Sequence, residues 1–300
     1  MSVSVIMPTK NVACYIREAI ASVIAQGGEV GELIVVDDGS TDETDAIVRS
    51  FSDDRIRLVA NRGVGVSAAR NTGARAASGE WLMFLDGDDR LRSGAVPALL
   101  AAADRRPRAV AIYGEYVRVD RAGRDLGMRR RLRRRSKPSG DVLARLVAGN
   151  FIVNGGVMIV RAPSFAAAGG FDETMRYCED WHCWCRLAAQ GEFQFIPDVL
   201  LDYRVHNNNT MNARTRSPQD FLPAADRVFR DRAIVDKLPR HLLPSLRRAA
   251  ETHLIGYAAA QAIRYGEYRN MLGCLAIAGR RSPKAVPGVM LRIGLAALGV

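Results

Sequence analysis

No stretch of this chain reaches the roughly 18 consecutive apolar residues that a membrane-spanning helix requires. The nearest, Val286 to Val300, is short and carries Pro287 and Arg292. The N-terminus has neither a basic lead-in nor a long apolar core, so no secretory leader is expected. Cysteine is scarce: the five residues Cys14, Cys178, Cys183, Cys185 and Cys274 are an odd number. Without a leader, that count argues for reduced thiols and a cytoplasmic setting. Cys178, His182, Cys183 and Cys185 lack a paired Cys-x-x-Cys knuckle, and one helix could not easily converge them, so zinc is not expected. Gly63-Val64-Gly65 is only a fragment of Gly-x-Gly-x-x-Gly, which disfavours a dinucleotide site. Internal repeats are absent.

Charge of one sign is also missing from most of the chain. The net charge is +11, yet the stretch from Arg124 to Lys137 holds eight bases (Arg124, Arg129, Arg130, Arg131, Arg133, Arg134, Arg135, Lys137) against Asp125 alone. Seven of the eleven net charges therefore sit in one segment, a local patch and not a basic surface. That segment has no interleaved aromatics, so nucleic acid is not expected as a partner. An anionic membrane surface or a phosphate-bearing acceptor suits it better, and peripheral contact with the inner face of a membrane is the corresponding expectation.

What the chain does have is Trp81-Leu82-Met83-Phe84-Leu85-Asp86-Gly87-Asp88-Asp89. A buried-strand pattern ends there in three carboxylates within four residues. Such crowding calls for neutralisation, and hard divalent cations prefer carboxylate oxygens. Gly87 lets the backbone turn there without a Cβ clash. Around it, the first half alternates strand and helix patterns, which implies a mostly parallel, Rossmann-like sheet flanked by helices. Strands are expected at 3–8, 33–36, 55–59, 81–85, 109–113, 154–160, 193–196 and 199–203. Ser40-Thr41-Asp42-Glu43 matches a capping box, and Ser93 is placed to cap a later helix. From about Ser217 the pattern is helical throughout. The expected organisation is a domain over 1–212 and a helical extension over 213–300.

Several short motifs follow in order: Pro8-Thr9-Lys10-Asn11, Asp37-Asp38-Gly39-Ser40, Ala69-Arg70-Asn71-Thr72-Gly73, Asp86-Gly87-Asp88-Asp89, Gly169-Gly170-Phe171-Asp172-Glu173, Glu179-Asp180-Trp181 and Tyr203-Arg204-Val205-His206. Each is weak alone, but the ordered set resembles the family 2 glycosyltransferases, inverting enzymes of the GT-A fold that use nucleotide-sugar donors. The resemblance covers roughly residues 1 to 212.

It implies donor contacts at Pro8, Thr9, Asp37, Asp38, Arg70 and Asp86, with Asp37 or Asp38 holding the base and Arg70 the nucleotide or diphosphate. It makes Asp88 the metal ligand for Mn²⁺ or Mg²⁺, with His206 a second candidate and Asp89 behind them. Asp180 is the implied base. Glu179 carries the same chemistry, but successive helical residues point about 100° apart. Trp181 and Trp184 are candidate acceptor contacts beside Glu179, although buried tryptophans more often belong to a core. The expected activity is metal-dependent transfer of a hexosyl or N-acetylhexosaminyl group, probed first with UDP-sugars. The acceptor would be a saccharide or lipid-linked hydroxyl, in bacterial-type polysaccharide or glycolipid assembly. Two alternatives stand beside it. A non-catalytic anion binder would use residues 124–137 on membrane or nucleic acid. A nucleotidyltransferase would leave Glu179-Asp180 and His206 unexplained.

Overall fold

The apolar runs form a single eight-stranded sheet in the computed structural model, which describes residues 1–126, 137–152, 154–206 and 217–297. Its spatial order is β3-β2-β1-β4-β7-β6-β8-β5. Strand β1 (Val3–Thr9) is buried at every residue, as a strand covered on both faces must be. It pairs in parallel with β2 (Val30–Asp37) on one side and β4 (Trp81–Phe84) on the other, and β2 pairs in parallel with β3 (Ile56–Ala60). Helices α1 (Ile16–Ile24), α2 (Thr44–Arg49) and α3 (Val66–Ala76) make the crossovers. The order therefore reverses at β1, the kind of switch point where open α/β sheets bind ligands.

The second half of the sheet is mixed. After β5 (Arg90–Leu91) and α4 (Ala95–Arg105) come β6 (Ala109–Val119), α5 (Leu143–Val147) and β7 (Met158–Arg161). Strand β7 runs antiparallel to both β4 and β6. Helices α6 (Ala162–Ala167) and α7 (Glu179–Ala188) precede β8 (Glu192–Arg204), which is parallel to β6 and antiparallel to β5. The two strands expected at 193–196 and 199–203 are this one element. Its register with β6 slips around Gly114, where a Cβ would lie 2.6 Å from Leu200. The strand expected from Asn154 begins only at Met158, because residues 155–157 form a 3-10 turn.

Two expected helix caps are not made. Ser40 instead accepts a hydrogen bond from the Asn11 amide, and Asp42 receives the Thr44 amide and hydroxyl. Gly94, in a left-handed conformation, stands where Ser93 was expected to cap α4. Neither N-cap residue, Glu43 of α2 or Gly94 of α4, makes a side-chain capping hydrogen bond.

Beyond the sheet lie α8 (Pro218–Arg230), α9 (Arg232–Val235), α10 (Leu243–Arg264), α11 (Tyr268–Arg281) and α12 (Val286–Ala297). Helix α8 starts from a capping box in which Asp220 accepts from the Ser217 amide. It packs on α7, with Phe221 between Tyr177 and Tyr257 at centroid distances of 5.7 and 5.5 Å. Asp231 at the start of α9 sits 2.9 Å from buried His182 of α7. Helix α10 supports both α11 and α12. No helix among the described residues is long and apolar enough to cross a membrane.

Candidate active site at the carboxyl ends of the central strands

Parallel pairing brings the ends of β1, β2 and β4 to one edge. Thr9 is in register with Asp37, and the Leu85 amide donates to the Ile6 carbonyl, so Asp86 follows on the same edge. Pro8 and Thr9 are buried, and the Thr9 hydroxyl donates to the Val36 carbonyl at 3.3 Å. Asn11 has a left-handed backbone (φ 54), and its side-chain oxygen receives the Thr41 amide at 2.8 Å, which ties the loop after β1 to the loop after β2. An asparagine tolerates that conformation better than most residues.

Asp37 closes a turn by accepting from the Gly39 and Ser40 amides, each at 3.1 Å. Asp38 accepts from the Asn61 side chain at 2.6 Å and the Gly65 amide at 3.1 Å, with Lys10 at 3.4 Å. Both carboxylates thus have fixed directions before any ligand arrives. The next loop is held equally closely. A Cβ on Gly87 would lie 3.0 Å from Thr9 and 3.2 Å from Val12, so close contact with the β1 loop, not a left-handed turn, favours glycine there.

The three carboxylates of Asp86-Gly87-Asp88-Asp89 have separate surroundings. Asp86 meets Arg70 at 2.8 Å. Asp88 lies 3.0 Å from His206 Nε2, whose ring stacks on Tyr15 with centroids 4.6 Å apart. Asp89 points inward, where it accepts from Asn154 at 2.6 Å and the Arg204 amide at 2.9 Å. Burial, and then the charges of Asp88 and Asp86, hold the Asp89 carboxyl well above the usual range. Arg204 is buried, and it also donates to the Asp88 carbonyl and pairs with Glu18 at 2.7 Å.

Arg70 does not stand free to receive a diphosphate. Its guanidinium bridges Asp86 and Glu179, the latter at 3.0 Å, and lies 5.3 Å from the Phe171 ring centre. Burial works against its charge, but the two carboxylates outweigh it and its pKa is raised. Arg70 thus orients two carboxylates from elements that are far apart in the chain.

Helix α7 begins just after Cys178, a second non-glycine residue in the left-handed region (φ 60). Past this strained entry Glu179 reaches Arg70, while Asp180 has no ion-pair partner within 4 Å among the described residues. Asp180 Oδ1 accepts its neighbour's Trp181 amide at 2.7 Å, while Oδ2 has only a long contact of 3.4 Å from Asn150. Burial, followed by the Glu179 charge, pushes the Asp180 carboxyl up to about 7. The aromatic expectations need correction. Trp181 and Trp184 are each 1% exposed. Trp181 donates to the Leu146 carbonyl, and Trp184 packs on Phe84 and Phe171. Neither offers a ring face to a sugar.

The structure therefore joins Asp86, Arg70 and Glu179 in one network, and Asp88 with His206 in a second. It adds Asn150, Asn154, Tyr15 and Arg204, which the sequence motifs did not single out for roles. Arg129, Arg130, Arg131, Arg133, Arg134 and Arg135 lie outside the described residues. The ends of that basic segment are engaged locally, Arg124 with Asp120 at 2.8 Å and Lys137 with Glu115 at 3.0 Å.

An open α/β sheet with carboxylates at its switch point places a ligand site at these strand ends. The glycosyl transferase family 2 model matches residues 4–163, and the chain belongs to that family. Succinoglycan biosynthesis protein ExoO of Rhizobium meliloti is 30% identical over 253 residues, covering 80% of this chain and 71% of that protein. An uncharacterized glycosyltransferase of Rickettsia typhi is 29% identical over 221 residues, covering 73% and 69% respectively. Among solved structures, residues 1–349 of S. aureus TarS in complex with UDP-GlcNAc match with a TM-score of 0.67 at 20% identity, over 99% of this chain and 87% of that one. The mannosyltransferase PcManGT of Pyrobaculum calidifontis, solved with GDP-Man and Mn²⁺, matches with a TM-score of 0.61 at 21% identity, covering 99% and 86%. The fold is GT-A, a mostly parallel curled sheet flanked by helices, followed here by C-terminal helices.

Proposed function

We propose that this glycosyltransferase moves a sugar, with inversion, from a nucleotide donor to an acceptor hydroxyl, and that Asp180 is its base. The observation that carries the reading is the state of Asp180. Its carboxyl is pushed up to about 7 and Oδ2 is nearly unengaged, while the adjacent Glu179 is tied to Arg70. A base poised near neutral pH removes a hydroxyl proton most efficiently. Oδ2 takes the acceptor proton as the acceptor oxygen bonds to the anomeric carbon. The bond from that carbon to the diphosphate oxygen breaks, and the nucleoside diphosphate leaves. In-line attack on an α-linked donor produces a β-glycoside.

Pro8, Thr9, Asp37, Asp38 and Asp86 form the donor side of the site, with the two β2-end aspartates accepting from the base and ribose. Arg70 acts on the donor by holding Asp86. Asp88 and His206 suit a divalent cation, because they offer an oxygen and an imidazole nitrogen 3.0 Å apart. No group of three ligating side chains is found among the described residues, so donor phosphates would complete the shell, as Mg²⁺ and Mn²⁺ sites often require. Bound there, the cation supplies Lewis-acid stabilisation of charge on the departing diphosphate. The imidazole favours Mn²⁺ over Mg²⁺.

The TarS complex supports trying UDP-sugars first, and the part of ExoO in succinoglycan biosynthesis supports a saccharide acceptor. Hexosyl and N-acetylhexosaminyl donors are the groups to compare. A thermal-shift screen of UDP- and GDP-sugars, with and without Mn²⁺, tests donor binding, because a ligand of the folded state raises its stability. Transfer to a saccharide acceptor with release of nucleoside diphosphate tests the reaction. A chain that neither binds nor hydrolyses any nucleotide sugar with Mn²⁺ present would end this reading.

A further inference from the structure

The outermost layer of the molecule, the α11–α12 hairpin, has a surface unlike the rest. Eleven large hydrophobic side chains are exposed among the described residues, and six of them fall between Tyr265 and Leu295. On α11, Tyr268 and Leu272 are 63% and 59% exposed, and Ala276 continues their row at helical spacing. On α12, the exposed residues are Pro287, Gly288, Met290, Leu291, Gly294, Leu295 and Ala297, without one polar side chain. Met290 and Leu291 are 58% and 65% exposed. The opposite sides of the two helices, including Cys274, Ala278, Val289 and Ala296, are buried. Both helices rest on α10, so their inward faces are already used.

The charges around this face have one sign. From residue 265 to 297 the sole acid is Glu267, which accepts from Asn270. Arg269 and Arg280 border the apolar row of α11, and Lys284 lies in the turn that leads to α12. All three are exposed. A second copy of this chain is a poor occupant, because a two-fold interface would set these cations against their own copies. A bilayer with anionic headgroups matches both features. It accepts apolar side chains at the acyl boundary and cations at the headgroups. Helix α12 has 12 residues, about 18 Å of helix, which is too short to span but suited to lying in the interface plane.

We infer that the α11–α12 hairpin is a docking face for an anionic lipid surface, with Tyr268, Leu272, Met290, Leu291 and Leu295 inserted and Arg269, Arg280 and Lys284 at the headgroups. The residues named here share none with the basic segment at 124–137. It would also bring a lipid-linked acceptor to the enzyme, a consequence that rests on the proposed function, whereas the docking itself does not.

The test is flotation of the full chain with vesicles of phosphatidylglycerol and phosphatidylcholine, beside pure phosphatidylcholine. The parent should float with the anionic vesicles at low salt. Met290→Glu/Leu291→Glu, which changes only exposed side chains, should reduce that binding at least tenfold. Arg269→Ala/Arg280→Ala/Lys284→Ala should measurably weaken binding at low salt and leave a smaller salt dependence than the parent's. Circular dichroism and UDP affinity of both variants should match the parent, a readout that separates docking from donor binding. Failure of the parent to float would overturn the inference, as would Met290→Glu/Leu291→Glu floating like the parent. A concentration-dependent dimer in sedimentation, abolished by the same two glutamates, would assign the face to a second copy instead.

Discussion

At Asp180 the burial that makes the carboxylate costly to ionise also makes it a stronger base once ionised. Asp180→Asn keeps the shape and removes the base, so transfer should fall on the order of 10²- to 10⁴-fold while UDP affinity by calorimetry barely moves. Normal transfer by that variant would remove Asp180 from the role. In the proposed role the same carboxyl must be ionised to accept a proton, so activity should rise with pH through about 7. Stability runs the other way. A folded-state pKa raised from 3.8 to about 7 stabilises the fold fully below the unfolded value, and that contribution is lost as pH rises through the folded one. The melting temperature of Asp180→Asn relative to the parent should therefore increase between pH 5 and pH 8. Glu179 raises the Asp180 pKa. Glu179→Gln should accordingly move the activity limb to lower pH without abolishing transfer. An unshifted limb would mean that another group titrates.

Asn154 shows why part of the site could not be read from its residues. It lies in an irregular segment, and its partner Asp89 is 65 positions away. Nothing in Asn154-Gly155-Gly156 announces a carboxylate. Asn154→Ala would leave the buried Asp89 short of a donor, a cost of about 1–3 kcal/mol. Thermal denaturation measures it, and an unchanged melting temperature would show that Asp89 is satisfied otherwise. The helix start that carries Asp180, by contrast, was legible, since α7 begins at Glu179 where the sequence pattern places a helix.

At the scale of elements, helix α7 divides its labour by face. Glu179 reaches Arg70 and Asp180 meets Asn150, while Trp181, Trp184 and Cys185 are buried. Trp184 lies four residues after Asp180, on the same side of a helix, but spacing does not state what lies across from it. Phe84 and Phe171 do, at centroid distances of 6.5 and 5.6 Å. Trp184→Ala should thus act as a core deletion that costs about 3–5 kcal/mol. Whatever protein remains folded should keep the parent's KM for acceptor. A selective rise in that KM, with stability unchanged, would restore the tryptophan to the acceptor site. The same limit applies to strands. The apolar runs of β1, β2 and β4 were legible because burial on both faces leaves a continuous hydrophobic signature. The antiparallel direction of β7 was not, since a run of Met158, Ile159 and Val160 carries no mark of polarity. The slip in β8 near Pro197 was read as a break, because the partner that absorbs it, Gly114, lies on another strand.

For the whole molecule, the distribution of charge matters more than the total of +11. The positive excess lies mostly in one segment, while five aspartates, at 37, 38, 86, 88 and 89, gather at one edge of the sheet. A nucleoside diphosphate entering there meets charges of its own sign, so its affinity should depend on a cation that both partners share. In the parent, UDP at about 100 times its Kd with Mn²⁺ present should stabilise by about 2.7 kcal/mol. That corresponds to a rise on the order of 5 °C in melting temperature. Removing the metal with a chelator should abolish most of that rise. Asp88→Ala should abolish the Mn²⁺-dependent part as well. In the absence of metal, however, it should bind UDP slightly better than the parent, because one repelling charge has gone. That reversal distinguishes a metal ligand from a residue that merely supports the loop, whose loss would weaken binding under both conditions. If Mn²⁺ still raises the melting temperature of Asp88→Ala with UDP by as much as it does in the parent, Asp88 and His206 do not hold the ion.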